Sequence, residues 1–304
     1  MKRLSVAIIG AGRWGGALAM SLRAAGYRIS EIVSRRGSSP TRFLVRSVGT
    51  EVTTNKTAVL DADVVWFCVP DAQITTAARQ LSKRNWNGKI ALHSSGVLSS
   101  DVLVGLREEG ARVASVHPLM TFVKAQSPDL TGVSFAVEGD PQAVAVANAI
   151  VRELGGKPIP IRARDKLAYH AFATMVCPLL ISLVAASEKV AALAGISPSD
   201  ARRRMLPIIR QTIANYEKLG AAGSFTGPLV RGDVETVRHH LDALADIPDA
   251  RSVYIKLAEA ALKSLPNRHA KEMQAALCDI LSGGAQQKSK ALNRKARKGV
   301  HKVR

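Results

Sequence analysis

Leu4-Ser5-Val6-Ala7-Ile8-Ile9-Gly10-Ala11-Gly12-Arg13-Trp14-Gly15-Gly16-Ala17 decides how this chain is read. Leu4 to Ile9 is apolar and strand-like, Gly10-x-Gly12-x-x-Gly15 follows at once, and Ala17 to Ala25 reads as a helix. Strand, glycine loop and helix in that order form the dinucleotide-binding fingerprint. Gly10 then permits a tight turn, Gly12 lets backbone approach a pyrophosphate, and Gly15 lets the helix pack closely on the strand. The amides around Arg13 and Trp14 face the anion. The competing reading of these glycines is a plain structural turn. A second strand, Arg28 to Val33, ends at Ser34, where an enzyme using NAD places an acid for the ribose 2′-hydroxyl. Ser34, Arg35 and Arg36 stand there instead. Charge-assisted bonds to a phosphate contribute about 1.5–3 kcal/mol each, so the expected ligand is NADP(H). The alternative for the two arginines is a solvated basic loop.

The other strands extend the pattern. Asp63 to Val69 ends at Pro70-Asp71 and is followed by a helix from Ala72 to Lys83. Lys89 to Leu92 ends at His93-Ser94-Ser95-Gly96, and Ala111 to Val116 ends at His117-Pro118. Ligands of open α/β sheets lie outside the carboxyl ends of the strands, so these segments should converge on one cleft, with Val69 and Pro70 beside the cofactor. Val133 to Glu138, a helix from Gln142 to Leu154, and Lys157 to Ile161 complete this part. From Arg164 onward apolar residues recur at helical spacing through Leu167–Leu193, Pro198–Leu219, Val234–Leu244, Pro248–Leu265 and Arg268–Leu281. The expected architecture is α/β: a Rossmann-type, mostly parallel sheet domain (1–163), an all-helical C-terminal domain (164–282) and a basic tail (283–304). The two domains should pack with the cleft between them.

The chain has 304 residues, 47% of them apolar, enough for a core in each of two domains. Cys68, Cys177 and Cys278 lie in apolar segments without metal-ligand spacing, and a strand begins almost at once; a cytoplasmic protein without a signal peptide is expected. Ala171 to Ala186 is the longest apolar stretch, short for a bilayer and containing Pro178, so a buried helix, able to form a dimer core, is expected rather than a membrane span. The net charge is +19, and the last twenty-two residues carry eight Lys/Arg and no acid. That tail has no aromatic residue for base stacking; it reads as a solubilising, disordered extension, and nucleic acid contact would be confined to it. His239 and His240 are adjacent and point to different faces of a helix, so no metal is expected.

HSSG (93–96), HPLMTF (117–122), KLAYHAFA (166–173) and FTGPLVRGDVETVRHHL (225–241) resemble bacterial Rossmann-like proteins whose C-terminal half is classed as a domain of unknown function. These belong to the superfamily of 6-phosphogluconate and 3-hydroxyacid dehydrogenases, ketopantoate reductase and pyrroline-5-carboxylate reductase. The resemblance covers the chain to about Ser282 and implies a Rossmann fold and an NADP(H) preference. It also implies that Lys166 is the lysine those reductases place near nicotinamide and substrate. His170 stands one turn later, where they often carry Asn, and Pro178 departs from a further Asn of the family pattern.

Reduction of a carbonyl or imine needs a hydride, a proton and a clamp for the substrate. Lys166 and His170, on one helix face, or His117 can supply the proton. His93, Ser94, Ser95 and Arg231 are candidates for holding a substrate carboxylate or carbonyl. Each has a plainer reading: Lys166 pairs with Asp165 or a helix end, His170 is a satisfied interdomain histidine, and His93 and His117 anchor loops. In the TGPLVRGD segment, Asp233 should cap the next helix. The expected function is an NADP(H)-dependent oxidoreductase acting on a small carboxylate-bearing carbonyl or imine, with ketopantoate-like chemistry the sharpest member by resemblance. The rival is a non-catalytic NADP(H)-binding regulator.

Overall fold

The computed structural model describes residues 3–35, 39–123, 129–267 and 271–275. They divide into two compact units, one ending at Cys177 and the other beginning at Pro178. Arg36, Cys278 and the basic tail lie outside the described residues.

The first unit alternates strands and helices: β1 (Ser5–Ile9), α1 (Arg13–Ala24), β2 (Arg28–Val33), α2 (Ser39–Val48), β3 (Val52–Thr53), β4 (Val64–Phe67), α3 (Asp71–Leu81), β5 (Ile90–His93), α4 (Val104–Glu108), β6 (Arg112–Pro118), β7 (Ser134–Gly139), α5 (Pro141–Glu153), β8 (Lys157–Pro160) and α6 (Lys166–Val176). The sheet order is β3-β2-β1-β4-β5-β6-β7-β8. Only the β6–β7 pairing is antiparallel.

All residues of β1 and β4 are buried, because helices cover both faces of the sheet. The alternation along each strand divides them between two cores. Val6, Ile8, Val64 and Trp66 pack with Leu18 and Leu22 of α1 and Ile150 of α5. Ala7, Ile9, Val65 and Phe67 pack with Ile74 and Leu81 of α3. The strand order reverses direction at β1, between β2 and β4, and a ligand crevice is expected outside their carboxyl ends. Gly10 N–H donates to the carbonyl of Val33 at 2.8 Å, and Cys68 N–H donates to that of Ile9 at 2.8 Å, so the three strand ends are tied at that point.

The second unit is helical: α7 (Pro178–Leu193), α8 (Pro198–Ser224), α9 (Pro228–Arg231), α10 (Val234–Ala243) and α11 (Pro248–Ser264). Its core joins Val237 and Leu241 to Ile255, Ala258, Leu262 and Met273. As expected, Asp233 caps α10: its carboxylate accepts from Thr236 N–H at 3.0 Å and Thr236 Oγ1 at 2.8 Å. The helix expected to end at Leu219 is interrupted at Gly220 (φ 67°, ψ −178°) and runs one more turn to Ser224.

Two expectations are corrected. The single helix Leu167–Leu193 is broken at Cys177 (φ −119°, ψ −83°), because the ring of Pro178 excludes helical backbone in the residue before it. And α7 is not a buried helix: none of its residues is buried. Among the described residues, the stretch Ala163–Leu193 is long and apolar enough to cross a membrane by length and composition, more than Ala171–Ala186 alone suggested. Its first turn is nevertheless anchored among the strand ends of the sheet through Lys166.

Candidate active site

The glycine loop is built as its spacing requires. Gly10 has φ +106°, and a Cβ there would lie 2.8 Å from the carbonyl oxygen of Cys68 and 2.9 Å from Val69 Cγ1. A Cβ on Gly15 would stand 2.0 Å from the carbonyl oxygen of Gly10, so only glycine lets α1 sit this close to the turn. At Gly12 the nearest atom to such a Cβ is 4.0 Å away, which leaves the backbone open. Gly12 is also the N-cap of α1, which has no side-chain cap and no acid in its first turn. An uncapped helix start with amides directed outward suits an anion, and the residues fit the pyrophosphate of a dinucleotide. Ser34 and Arg35 follow the end of β2, with Ser34 N–H bonded to the carbonyl of Thr53 at 2.9 Å and Arg35 exposed. Arg13 is exposed; Pro70 precedes α3 as its N-cap.

The histidine–serine segment after β5 is organised differently from the expectation. His93 is fully buried, its Nδ1 accepting from Ser95 N–H at 3.1 Å and its Nε2 lying 3.0 Å from the carbonyl oxygen of Ser99. Both ring nitrogens serve the loop, so His93 is an anchor and not a substrate ligand. Ser94 is likewise occupied: Oγ accepts from Trp14 Nε1 at 2.7 Å and from Trp66 Nε1 at 2.8 Å. The Trp14 ring therefore turns inward, against Phe122 at 4.6 Å between centroids, and joins the glycine loop to the β5 loop. Ser95 Oγ accepts from the amides of Val97 and Leu98 at 3.1 and 2.9 Å, closing a turn. What Ser95 offers the site is its carbonyl.

That carbonyl receives Lys166. The side chain, 1% exposed, sends Nζ to Ser95 O at 3.0 Å and to Ser115 Oγ at 2.6 Å. Burial holds its pKa below the ordinary lysine value, against the pull of the Glu138 and Asp71 charges. Glu138 itself is bound to Ser100, accepting from its N–H at 2.7 Å and its Oγ at 2.8 Å. Three rings gather beside the lysine. His117 lies edge-on to Tyr169 at 5.7 Å and to His170 at 5.8 Å. Gly96 makes this convergence possible: a Cβ there would fall 2.5 Å from His170 Cδ2 and 2.8 Å from His117 Nε2. Burial first, then the charges of Lys166 and His170, push the pKa of His117 down to about 4. It is a neutral imidazole at neutral pH.

Lys166, His117 and His170, singled out from sequence, are thus brought together at the carboxyl ends of β5 and β6, on the sheet edge that carries the glycine loop. Gly96 lies in the segment expected to converge here, whereas Ser115 and Tyr169 were missed. Ser115 is a buried hydroxyl in an apolar strand, two residues before His117 and hence on its face; Tyr169 is three residues after Lys166 on one helical face. Those spacings were available signals. Arg231 ends α9 in the second unit and is exposed; with Thr236 its charge helps hold the Asp233 carboxyl below the usual range.

Buried His93 makes stability depend on pH. Burial above all, with the Lys166 charge, lowers its pKa to about 3. An unfolded histidine takes up a proton near about 6.5, so between that value and about 3 the unfolded state holds more protons and stability falls as pH drops. Urea unfolding between about pH 7 and pH 5 should show His93 alone removing about 1.4 kcal/mol per pH unit below the unfolded value. In His93→Asn that contribution should vanish; an unchanged slope would contradict the burial of a neutral ring.

Comparisons with known proteins bear on the fold. Residues 1–118 match the family model of the Rossmann-like domain, and residues 133–261 match that of the domain of unknown function DUF2520. The two matches fall on successive parts of the chain, the first on the strand-rich half and the second from β7 through most of α11. None of the curated proteins matches it. Among solved structures, the chain is similar to a candidate NADP oxidoreductase of Bacteroides fragilis (22% identity, 85% of this chain and 97% of that one, TM-score 0.72). It is also similar to a protein of Thermotoga maritima (23% identity, 89% and 98%, TM-score 0.67) and to an imine reductase from Pseudomonas sp. (19%, 91% and 100%, TM-score 0.61). These likenesses show the fold of the chain to be that of the Rossmann-plus-helical architecture.

Proposed function

We propose that this protein is an NADP(H)-dependent oxidoreductase that reduces a carbonyl or imine of a small carboxylate-bearing substrate. Ketopantoate-like chemistry is the sharpest member of that class. The observation that carries the reading is the uncapped glycine start of α1, set between the ends of β2 and β4 and followed by Ser34-Arg35 where an acid would select NAD. Two further structures of similar fold support it: a pyrroline carboxylate reductase of Plasmodium falciparum (13% identity, TM-score 0.57) is described with NADP bound, and a reductive aminase from Aspergillus terreus (14% identity, TM-score 0.63) with NADPH.

When bound, the nicotinamide supplies a hydride to the substrate carbon. The chain's own residues manage the rest. The heteroatom that gains electrons must receive a proton, and His117, Tyr169 and His170 are the acid–base groups gathered beside Lys166. Lys166 Nζ, fixed by Ser95 and Ser115, stabilises negative charge developing on that atom. The Trp14–Ser94–Trp66 hydrogen bonds keep the glycine loop and the β5 loop in register, so cofactor and substrate seats move together.

The test is NADPH consumption by the purified full-length chain across short oxo acids and their imines. Turnover with any of them supports the reading; NADPH binding without turnover on the whole panel favours the regulator instead.

A second copy of the chain is the proposed partner. α7 is apolar around its circumference yet has no buried residue, and Leu179, Ile181 and Leu193 are each more than half exposed. A helix of that composition is stable in water only when covered. One side of α7 lines an apolar cavity of about 730 Å³ with α10 and α11, including Leu183, Val190, Leu244 and Leu257. Light scattering should give a dimer for the native chain and a monomer for Ile181→Asp; a native monomer contradicts the pairing. The basic tail remains the one segment proposed for any contact with nucleic acid, and a cytoplasmic location is proposed from cysteine usage.

A further inference from the structure

Five buried side-chain polar atoms have no hydrogen-bond partner among the described residues: Thr53 Oγ1, His117 Nδ1, Asn148 Oδ1, Tyr169 OH and Asn267 Oδ1. Three are scattered over β3, α5 and the segment after α11. The other two share one place, on rings packed edge to face at 5.7 Å. A buried polar group left unpaired costs about 1–3 kcal/mol, so two at one spot mark a seat for something that pairs with them. Lys166 stands behind it with three N–H donors and two partners among the described residues, Ser95 O and Ser115 Oγ.

The sign of the charge there discriminates between ligands. The cation is Lys166. Of the carboxylates that act on it, Glu138 is engaged by Ser100, and Asp71 is exposed at the head of α3. His117 and His170 add no negative charge, and Tyr169, whose pKa burial raises, keeps its proton. A site with a buried ammonium and, among the described residues, no carboxylate in ion-pair contact with it stabilises an oxyanion and repels a cationic iminium.

We propose that His117 and Tyr169, backed by Lys166, form the seat of a substrate oxygen, and that the substrate is an anionic oxo acid rather than an iminium. The inference rests on the reductase reading for its place in catalysis, not for the binding it predicts. Gly96 shapes the ring cluster from the other edge of His117, since a side chain there would collide with His117 Nε2 and His170 Cδ2. Tyr169 also gives a physical preference for a carbonyl oxygen, which its hydroxyl can meet as donor.

The experiment is calorimetric titration of the full-length chain, with and without saturating NADPH. The probes are oxamate and malonate, unreactive stand-ins for short oxo acids, and pyrrolidine, a cation shaped like a cyclic iminium. Oxamate or malonate should bind saturably and pyrrolidine should not. Tyr169→Phe, which removes one unpaired buried oxygen, should weaken the carboxylate at least tenfold while NADPH affinity stays unchanged and the melting temperature does not fall; a merely structural tyrosine would lower the melting temperature. Failure of both carboxylates in both states, equal affinity in Tyr169→Phe, or tighter binding of pyrrolidine each overturns the proposal. Tyr169-dependent carboxylate binding without NADPH binding supports the seat and removes the reductase reading.

Discussion

Gly15→Ala should weaken nucleotide binding by about 100-fold. The added methyl would stand 2.0 Å from the carbonyl oxygen of Gly10 and 3.0 Å from Cys68 Cβ, and backbone cannot yield there without moving α1 off the sheet. Overpacking of a fixed backbone contact costs about 1–3 kcal/mol or more, and the displaced helix start no longer presents its amides to an anion. A loss of affinity on the order of 100-fold corresponds to about 2.8 kcal/mol, within that range. The adjacent Gly16 supplies the control. A Cβ at Gly16 meets only Leu44 Cδ2, at an ordinary 3.6 Å. Gly16→Ala should therefore keep nucleotide affinity and stabilise the helix interior by up to about 1 kcal/mol. Titration of both variants with NADPH, beside their thermal melts, separates the outcomes. Equal affinities in the two would mean that the close approach at Gly15 is not what shapes the loop.

Lys166→Met should separate stability from activity. The lysine is almost fully buried with two neutral oxygen partners and, among the described residues, no contacting carboxylate, an arrangement that burial penalises. Methionine fills a similar volume, and Ser115 Oγ still bonds the carbonyl of Ser95 at 3.3 Å, so no buried acceptor is stranded. Replacement of buried charge by a well-packed apolar side chain is neutral or stabilising by about 1–4 kcal/mol, and we expect a gain at the low end. Turnover should fall by about 100-fold or more, the scale of a lost charge stabiliser in a dehydrated site. Urea unfolding and NADPH consumption measure the two effects on one sample. A variant that unfolds more easily and keeps its rate would make Lys166 a structural strut.

Much of the fold was legible because its signals are local. β2 occurs at Arg28–Val33 as read, and the glycine spacing defined the loop between β1 and α1. α2 and β3 escaped notice: α2 follows directly on the basic loop at Arg35, and β3 is two residues long. At the site, sequence located the right strand ends but misread which atoms are free. His93, Ser94 and Ser95 look like ligands in a string; in the fold, Trp14, Trp66 and the Val97–Ser99 backbone take up their polar atoms. Those partners are distant in sequence or belong to the backbone, and residue type does not announce them. Ser115 and Tyr169 were hidden for the converse reason, each seeming to belong to an apolar run until the lysine and histidine beside them were placed. The exposure of α7 is a third case, since an apolar helix reads as buried whether its cover comes from its own chain or another.

The most direct test is a fluorescence titration of the full-length chain with NADPH and, separately, NADH, repeated on Arg35→Ala/Arg36→Ala. NADPH should bind at least about tenfold more tightly than NADH, about 1.4 kcal/mol, with the difference lost in the double variant as its phosphate partners disappear. Equal affinity for the two nucleotides in the native chain, or binding of neither, would contradict the reading of Gly10–Gly15 and Ser34–Arg36 as an NADP(H) site.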